Sequence, residues 1–299
     1  MSQRSNSGEE HPRRRHTGLS RASNSPDLAW RALPHGHDPH WEEAVVDLRE
    51  NPMPRSPNLI LQEVIHARAA DDLRGKLVIV TGASEGVGRY LALALLDQGA
   101  RVCVIGRDVA GLRETASLAR ADWPIVYLPC DLGNLTEVDE VVEFIERFDR
   151  PVDLVILAGA IEVRGDFASG ALEDLDEQYL VNVRGPYALA RRLLGQLQTA
   201  KGHIVFLNGV EPGTVGPQEL QYSMTMAALT ALAQGLSNEL ASSDIRVSTA
   251  YVPAAFRVAS TKLSEDEQEQ RSCQLATSIV SSICEDPQSG VSMMVVQSR

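Results

Sequence analysis

The chain has 299 residues, 43% of them hydrophobic, and a net charge of −12. A chain of this length can bury a full core, while its apolar stretches fall short of the ~18 to 20 residues that span a bilayer. The acidic balance disfavours nucleic acid as a partner, because the field of the protein would repel a phosphate backbone. The N-terminus shows no apolar signal-peptide core either, so we expect a globular cytoplasmic protein that binds neither membranes nor nucleic acid.

The N-terminal region differs in composition from the rest. Residues 1–40 contain six arginines against four acidic residues and show no apolar face, which predicts a disordered tail. His35, His37 and His40 could in principle bind a metal, but a flexible segment lacks the surrounding groups that orient ligands, so we expect none there. Residues 41–73 show two helical patterns parted by a proline-rich breaker and are predicted to form a helical extension.

The most informative stretch follows this extension. Residues 77–81 are a continuous apolar run, which is typical of a buried parallel strand, and an apolar helical pattern begins shortly after it. Between them, Gly82, Gly86 and Gly88 stand where the chain must turn tightly and let its backbone approach a ligand. The free N–H groups of the helix would then face a pyrophosphate. A glycine-rich turn without a ligand is the alternative interpretation.

From Lys76 onward, strand and helix patterns alternate along the chain. The predicted strands lie near 77–81, 101–106, 125–129, 153–158, 203–208 and 246–252, and the predicted helices near 86–98, 109–120, 135–149, 176–197 and 223–242. Such alternation predicts a parallel sheet that is covered on both faces, with ligands above the carboxyl ends of the strands where the strand order reverses.

The four cysteines, Cys103, Cys130, Cys273 and Cys284, show no Cys-x-x-Cys pairing. This spacing suits reduced thiols better than a disulfide framework or a zinc site. Cys103 and Cys130 lie in or next to predicted strands and are expected to be small buried hydrophobes.

Two charged residues follow predicted strands where the adenosine half of a dinucleotide would lie. Arg107 comes directly after Gly106, where an arginine can pair with a ribose 2′-phosphate, and this favours NADP(H) over NAD(H). The alternative is a surface arginine at a strand end, and Glu85 in the glycine turn weakens the case for a phosphate. Asp131 is placed either to accept from an adenine amino group or to cap a helix.

Several motifs, in this order and spacing, resemble the short-chain dehydrogenase/reductase family over residues 74–255. They are Thr81 to Gly88, Asp131, Ala158-Gly159, Asn182 within Leu180 to Gly185, and Tyr222-Ser223. The resemblance implies an α/β doubly wound parallel sheet (Rossmann fold) over 74–299 as a single domain, and oxidation or reduction of a hydroxyl/carbonyl pair on a small-molecule substrate. It also implies that the cofactor is bound by Thr81, Gly82, Ser84, Gly86, Val87, Gly88, Arg107, Asp131, Ala158 and Gly159.

Not every catalytic position of that family is kept. Tyr222 matches the proton donor and Asn182 the residue that holds a water relay, but Gly209 and Met226 stand where the family has a serine and a lysine. An ammonium about 4 Å from a phenol is worth about 4 kcal/mol, or about three pKa units, which a methionine cannot supply. Losing the serine hydroxyl costs a further ~10² to 10³ in rate.

Substitutes for the lost groups are few. The amide of Asn208 is placed to take over from the missing serine, and Arg184 and Arg257 are the cations that could stand near the site, although surface roles suit both arginines better. Lys201 and Lys262 lie away from it in the sequence. Ile156-Leu157 and Ala254 also replace polar residues or a glycine of the family pattern.

Three functions therefore stay open. The chain is an NADP(H)-dependent oxidoreductase with altered helpers, or a nucleotide-binding protein of the same fold without hydride chemistry, or the inert member of a hetero-oligomer. The third arises because the family associates through the helices that correspond to 176–197 and 223–242, which predicts a homo-oligomer or a hetero-oligomer with a related chain. For Tyr222, the alternative to a catalytic role is a core aromatic at the start of a helix.

Overall fold

In the computed structural model, residues 73–119, 125–148, 150–210, 214–252, 264–285 and 293–295 are described. The predicted tail and helical extension, together with Ala254, Arg257 and Lys262, lie outside these residues.

A parallel sheet of seven strands forms the centre of the described structure. The strands are β1 (Leu77–Thr81), β2 (Arg101–Gly106), β3 (Val126–Pro129), β4 (Leu154–Leu157), β5 (His203–Asn208), β6 (Arg246–Tyr251) and β7 (Met293–Val295). Their order is β3-β2-β1-β4-β5-β6-β7, and every neighbouring pair is parallel. The order reverses between β1 and β4, so the crevice expected for ligands opens at the carboxyl ends of these two strands.

The connecting segments are helical. They are α1 (Gly86–Asp97), α2 (Val109–Ser117), α3 (Leu135–Glu146), α4 (Leu172–Tyr179), a π-helical turn (Leu180–Arg184), α5 (Gly185–Arg192), α6 (Leu194–Ala200), α7 (Leu220–Leu240), a 3₁₀ turn (Ala241–Ser243) and α8 (Glu265–Glu285). The predicted doubly wound α/β fold is confirmed, and most predicted elements agree with the structure to within a few residues.

The single helix predicted near 176–197 is wrong. The structure breaks this segment into α4, the π-helical turn, α5 and α6, and begins it earlier, at Leu172. Pro186, at the start of α5, has no N–H to continue the regular ladder of hydrogen bonds, which accounts for the irregular turn before it. Neither α8 nor β7 was predicted.

Burial explains why the centre of the sheet reads as unbroken apolar sequence. All five residues of β1 and all four of β4 are buried, because helices cover the sheet on both faces. In α1 every residue from Gly88 to Leu96 is buried, and α8 packs against this helix with a face that includes Ala276 and Ile279. The helix that follows the glycine turn is thus fixed firmly in the core.

The cysteine prediction holds for Cys103, which lies in β2, and for Cys130, which directly follows β3. Cys103 and Cys130 are buried free thiols, and burial raises the pKa of Cys130 to about 12, so that its thiol stays protonated. Among the described helices, none is long and apolar enough to cross a bilayer.

A buried histidine lies at the opposite end of the sheet from the crevice. His203, the first residue of β5, contacts the Ser248 hydroxyl through Nε2 at 2.8 Å, while its Nδ1 has no hydrogen-bond partner among the described residues. Burial, aided by the nearby Arg246 guanidinium, lowers the pKa of His203 from 6.5 to about 3. The imidazole is therefore held neutral in the folded protein.

This histidine should make the folded state acid-sensitive. As the pH falls below 6.5, the unfolded chain binds a proton at His203 that the folded chain does not, and the free energy of unfolding should decrease by up to about 1.4 kcal/mol per pH unit. His203→Gln should remove about 1–2 kcal/mol of the loss between pH 7 and pH 5. Urea unfolding at pH 7 and pH 5 measures the free energy of unfolding of both proteins. An equal pH dependence in the two would contradict a neutral, buried His203.

Candidate functional site

Three glycines let backbone segments pack closely against one another in the turn after β1. Gly82 has a φ of +67° and Gly86 a φ of +56°, the left-handed region that glycine adopts without strain. A Cβ atom on Gly82 would lie 2.5 Å from the Cα atom of Gly159, and one on Gly88 would lie 2.8 Å from the carbonyl carbon of Gly82. The turn that leads into α1 is thus built from direct contact between backbones.

Hydrogen bonds hold this turn to the neighbouring strands. The Thr81 hydroxyl oxygen accepts from the backbone N–H groups of Ala158 and Gly159, both at 3.1 Å, which joins the ends of β1 and β4. On the other side, the Gly82 N–H donates to the Ile105 carbonyl at 2.8 Å. The crevice therefore has a rigid floor.

A buried arginine fixes the orientation of the loop. Arg89 of α1 donates to the Ser84 carbonyl at 2.5 Å, to the Thr115 hydroxyl at 3.2 Å and to the Glu114 carboxylate at 2.7 Å. Thr115, on α2, in turn donates to the Ala83 carbonyl at 2.7 Å. Because the loop carbonyls are bound from behind, α1 and α2 hold the glycine turn in a single arrangement.

The N-terminus of α1 is left open by its own sequence. The helix begins at Gly86, and the N–H groups of its first turn, including those of Val87 and Gly88, have no acceptor within the helix. Glu85, at the N-cap, makes no side-chain capping bond, and the first turn carries no acidic residue. These amides and the positive end of the helix dipole suit an anion.

A cavity of about 550 Å³ lies at this point of the crevice. Its volume falls within the range of ~300 to 1,000 Å³ that encloses small ligands. The residues that line it come from the ends of the first four strands and from the π-helical turn: Gly82, Ser84, Glu85, Ile105, Gly106, Arg107, Asp108, Cys130, Leu132, Ala158, Gly159, Ala160, Ile161 and Val181.

Arg107 lies in the wall of the cavity, as its predicted role requires. Its guanidinium is half exposed and forms an ion pair with Glu177 of α4, with 3.5 Å between Nη1 and Oε1. Asp108 beside it caps α2 by accepting from the Ala110 N–H at 3.0 Å.

Asp131 is not the helix cap that one interpretation of the sequence offered. Asn134 caps α3 by accepting from the Thr136 N–H, whereas one carboxylate oxygen of Asp131 accepts from the Gly133 N–H at 2.9 Å. Asp131 thus stabilises a local turn between β3 and α3, and its contact with adenine stays a prediction.

The side-chain amide of Asn182 forms its hydrogen bonds within the protein. It is buried in the π-helical turn, where its side-chain oxygen accepts from the Ile161 N–H at 2.8 Å. The amide nitrogen donates to the Ile161 carbonyl at 2.9 Å and to the Thr225 hydroxyl at 3.0 Å. Thr225 then donates to the backbone carbonyl of Tyr222, which links Asn182 to the first turn of α7, and both N–H groups of the Asn182 amide are engaged within the protein.

Two positions of the family's catalytic pattern are buried on α7. Tyr222 and Met226, both on α7, are 5% and 1% exposed. The amide nitrogen of Asn208 donates to the Met226 carbonyl at 2.8 Å and to the Thr230 hydroxyl at 2.9 Å, and its oxygen accepts from the Val210 N–H. The amide of Asn208 therefore anchors α7 to the end of β5 and does not replace the serine that is missing at position 209.

The nearby basic residues have other roles where the structure describes them. Arg184 is exposed and donates to the Gly133 carbonyl at 2.6 Å. Lys201 is also exposed and pairs with Asp244 at 2.8 Å.

Three residues of the site were missed by sequence reasoning. Arg89 and Thr115 hold the glycine loop, and Glu177 contacts Arg107. An arginine directly after the glycine motif, inside an otherwise apolar helix, was a local signal for the first. The other two act through contacts between elements that are distant in the sequence.

Comparison with known sequences gives a consistent result. The short chain dehydrogenase profile matches residues 76–270. The chain is 35% identical over 184 residues to the dehydrogenase/reductase SDR family protein 7-like of Drosophila melanogaster, and the match covers 60% of this chain but 56% of the fly protein. An uncharacterized oxidoreductase of Staphylococcus aureus is 28% identical over 178 residues, covering 59% of this chain and 77% of that relative.

Solved structures share the fold. A metagenomic short-chain oxidoreductase in complex with NADP has a TM-score of 0.65 at 23% identity, with 76% of this chain and 98% of that chain covered. L-sorbose reductase from Gluconobacter frateurii, complexed with NADPH and L-sorbose, has a TM-score of 0.66 at 20% identity, with 75% and 95% covered.

The close backbone contacts of the loop can be tested with two glycine substitutions. Gly88→Ala places a methyl group against the Gly82 carbonyl and should cost about 1–3 kcal/mol, lowering Tm by several degrees. Gly235→Ala, on α7, meets no atom within 4 Å and should raise stability by up to about 1 kcal/mol. Thermal unfolding compares the two, and a Gly88→Ala protein as stable as Gly235→Ala would show that the contacts are not tight.

Proposed function

Because the chain belongs to the short-chain dehydrogenase family, we propose that it binds NADP(H) in the crevice between β1 and β4 and that it catalyses hydride transfer weakly. A bound nicotinamide would supply the hydride for reduction of a carbonyl or accept it from an alcohol. The chain's own residues would bind and orient the dinucleotide and handle the proton.

The binding half of the proposal is supported by the glycine turn. Gly86, Val87 and Gly88 present N–H groups at an uncapped helix terminus, and the loop cannot relax away because Arg89 and Thr81 hold it on two sides. A diphosphate would be bound there by backbone donors and the helix dipole. The structures in complex with NADP or NADPH named above have the same fold.

The preference for NADP(H) over NAD(H) is supported by Arg107. Of the described residues that line the cavity, it is the one basic residue, and it stands at the end of β2, where a ribose 2′-phosphate would lie. Glu85 and Asp108 line the same cavity and oppose a phosphate by charge. We therefore expect a modest preference for NADP(H).

One observation supports the proposal that catalysis is weak: Met226 is buried at the position where the family has a lysine. A thioether that is 1% exposed cannot donate a hydrogen bond or lower the proton affinity of a neighbouring phenol. The two amides that could help, those of Asn182 and Asn208, have both N–H groups bound within the protein. Tyr222 would therefore act as a proton donor where Gly209 and Met226 replace the serine and the lysine of the family.

Two measurements on the purified protein test this function. Calorimetry should show NADPH binding and weaker NADH binding, and absence of binding for both would overturn the cofactor assignment. Turnover on a panel of ketones and aldehydes should be slow, and Tyr222→Phe should abolish it. Activity that persists in Tyr222→Phe would show that another group supplies the proton.

Restoring the lost groups gives a sharper result. Gly209→Ser with Met226→Lys should raise turnover by at least ~10²-fold, because a hydroxyl for the carbonyl oxygen and a cation for the phenol return together. Met226→Leu is the matched control and should leave the rate unchanged. No gain in a variant that folds and binds NADPH would show that the site geometry itself has been lost, and would favour a silent nucleotide-binding subunit.

We also propose that the chain associates through α4 and α7, with a second copy or a related chain. Apolar side chains on these helices are exposed: Leu172 72%, Tyr179 50%, Leu220 41% and Met224 51%. The two helices are joined here, since the Gln221 amide donates to the Ala171 carbonyl at 2.9 Å. Together they form an apolar surface of the kind that interfaces cover.

One charge at this surface should separate the subunits. Met224→Glu replaces an exposed apolar side chain of α7 with a carboxylate, whose burial in an interface without a partner is costly, and should shift the protein to monomer. Gln198→Glu, which adds the same charge at an exposed position of α6, should leave the assembly intact. Light scattering after gel filtration reads the mass, and a monomeric unsubstituted protein would contradict the proposal.

A further inference from the structure

The ion pair between Arg107 and Glu177 crosses the crevice. Arg107 follows β2, in the half of the sheet formed by β1, β2 and β3, whereas Glu177 lies on α4, which follows β4 in the other half. Their charged atoms are 3.5 Å apart. The pair therefore joins the two halves at the point where the strand order reverses and a dinucleotide would enter.

Both partners belong to the adenosine end of this crevice. Arg107 lines the cavity directly. Glu177 lies four residues before Val181, which also lines it, so the carboxylate is about one helical turn from the cavity wall. Leu132 and Cys130 complete this end of the cavity.

The Glu177 carboxylate and a ribose 2′-phosphate would compete for the Arg107 guanidinium. Among the described residues that line the cavity, Arg107 is the one cation, and the other two charged residues, Asp108 and Glu85, are acidic. When Glu177 pairs with Arg107, a 2′-phosphate must displace the Glu177 carboxylate and is then repelled by this carboxylate, which stays nearby. A 2′-hydroxyl carries no charge and does not compete for the guanidinium.

We propose that Glu177 is a specificity-determining residue that, by binding Arg107, reduces the preference of this site for NADP(H) over NAD(H). This inference rests on the proposed binding of a nicotinamide dinucleotide in the crevice. The arginine provides the preference and the glutamate limits it.

The size of the effect follows from exposure. The side chains of Arg107 and Glu177 are 48% and 57% exposed, so solvent screens their attraction. An exposed pair of this kind changes an equilibrium by about two- to fivefold. We expect a shift of that size in the ratio of the two dissociation constants, largest at low ionic strength.

Calorimetry with NADPH and NADH on three proteins tests the role of Glu177. Glu177→Gln removes the charge and should lower the Kd for NADPH about two- to fivefold while leaving the Kd for NADH unchanged. Asp176→Asn removes the same charge one residue away on the exposed side of α4 and should change neither constant. Weaker binding of both nucleotides to Glu177→Gln would overturn the proposal, since it would show the pair to be a clasp over any bound adenosine.

A second background tests the route through Arg107. In Arg107→Met the proposal predicts weaker NADPH binding, and adding Glu177→Gln should then bring little further change. An undiminished gain in that background would overturn it, because Glu177 would be acting on the phosphate directly. Binding of NADH with an unchanged NADPH to NADH ratio in Glu177→Gln refutes this inference alone, whereas binding of neither nucleotide by any of the proteins refutes the proposed function as well.

Discussion

The site depends on how closely the backbone at the end of β1 approaches its neighbours. Gly82 touches Gly159 and Gly88 touches the Gly82 carbonyl, at distances that leave no room for a Cβ atom. This contact fixes the start of α1 beside the carboxyl end of β1, next to Glu85, which lines the cavity. The close packing of α1 between the sheet and α8 then keeps the helix from shifting away.

Polar groups near the crevice divide into two sets with opposite consequences. At the glycine turn, Arg89 and Thr115 donate to the backbone carbonyls of Ser84 and Ala83, which leaves the N–H groups of the helix terminus for a ligand. Near Tyr222, the side-chain amides of Asn182 and Asn208 donate both of their N–H groups to backbone carbonyls and threonine hydroxyls. The first arrangement prepares a surface for an anion, and the second stabilises the fold at a place where chemistry would need free donors.

The sequence was sufficient for the parts of the molecule with local causes. The apolar run of β1, the glycines after it and the helix that follows are all encoded within residues 77–97, and their bounds were predicted to within one residue. The replacement of a lysine by Met226 was equally visible. The break in the predicted helix at 176–197 was not predicted, although Pro186 stands in the sequence as a residue that has no N–H for the helix ladder.

Contacts between distant segments account for the rest. Nothing near Glu177 in the sequence indicates that it faces Arg107, since the two are brought together by the reversal of strand order. β7 has three residues, too few for a periodic pattern, and its place in the sheet depends on pairing with β6. The structure shows that Asn134, and not Asp131, caps α3, which the sequence left open, while the contact of Asp131 with adenine stays a prediction.

A crystal structure of the protein soaked with NADPH would test the central claim most directly. We predict electron density for the diphosphate at the N–H groups of Gly86, Val87 and Gly88, with Tyr222 facing the nicotinamide and the Met226 side chain where the family has its lysine. Density that places the nucleotide elsewhere, or a crevice whose side chains leave no room for a diphosphate, would contradict it.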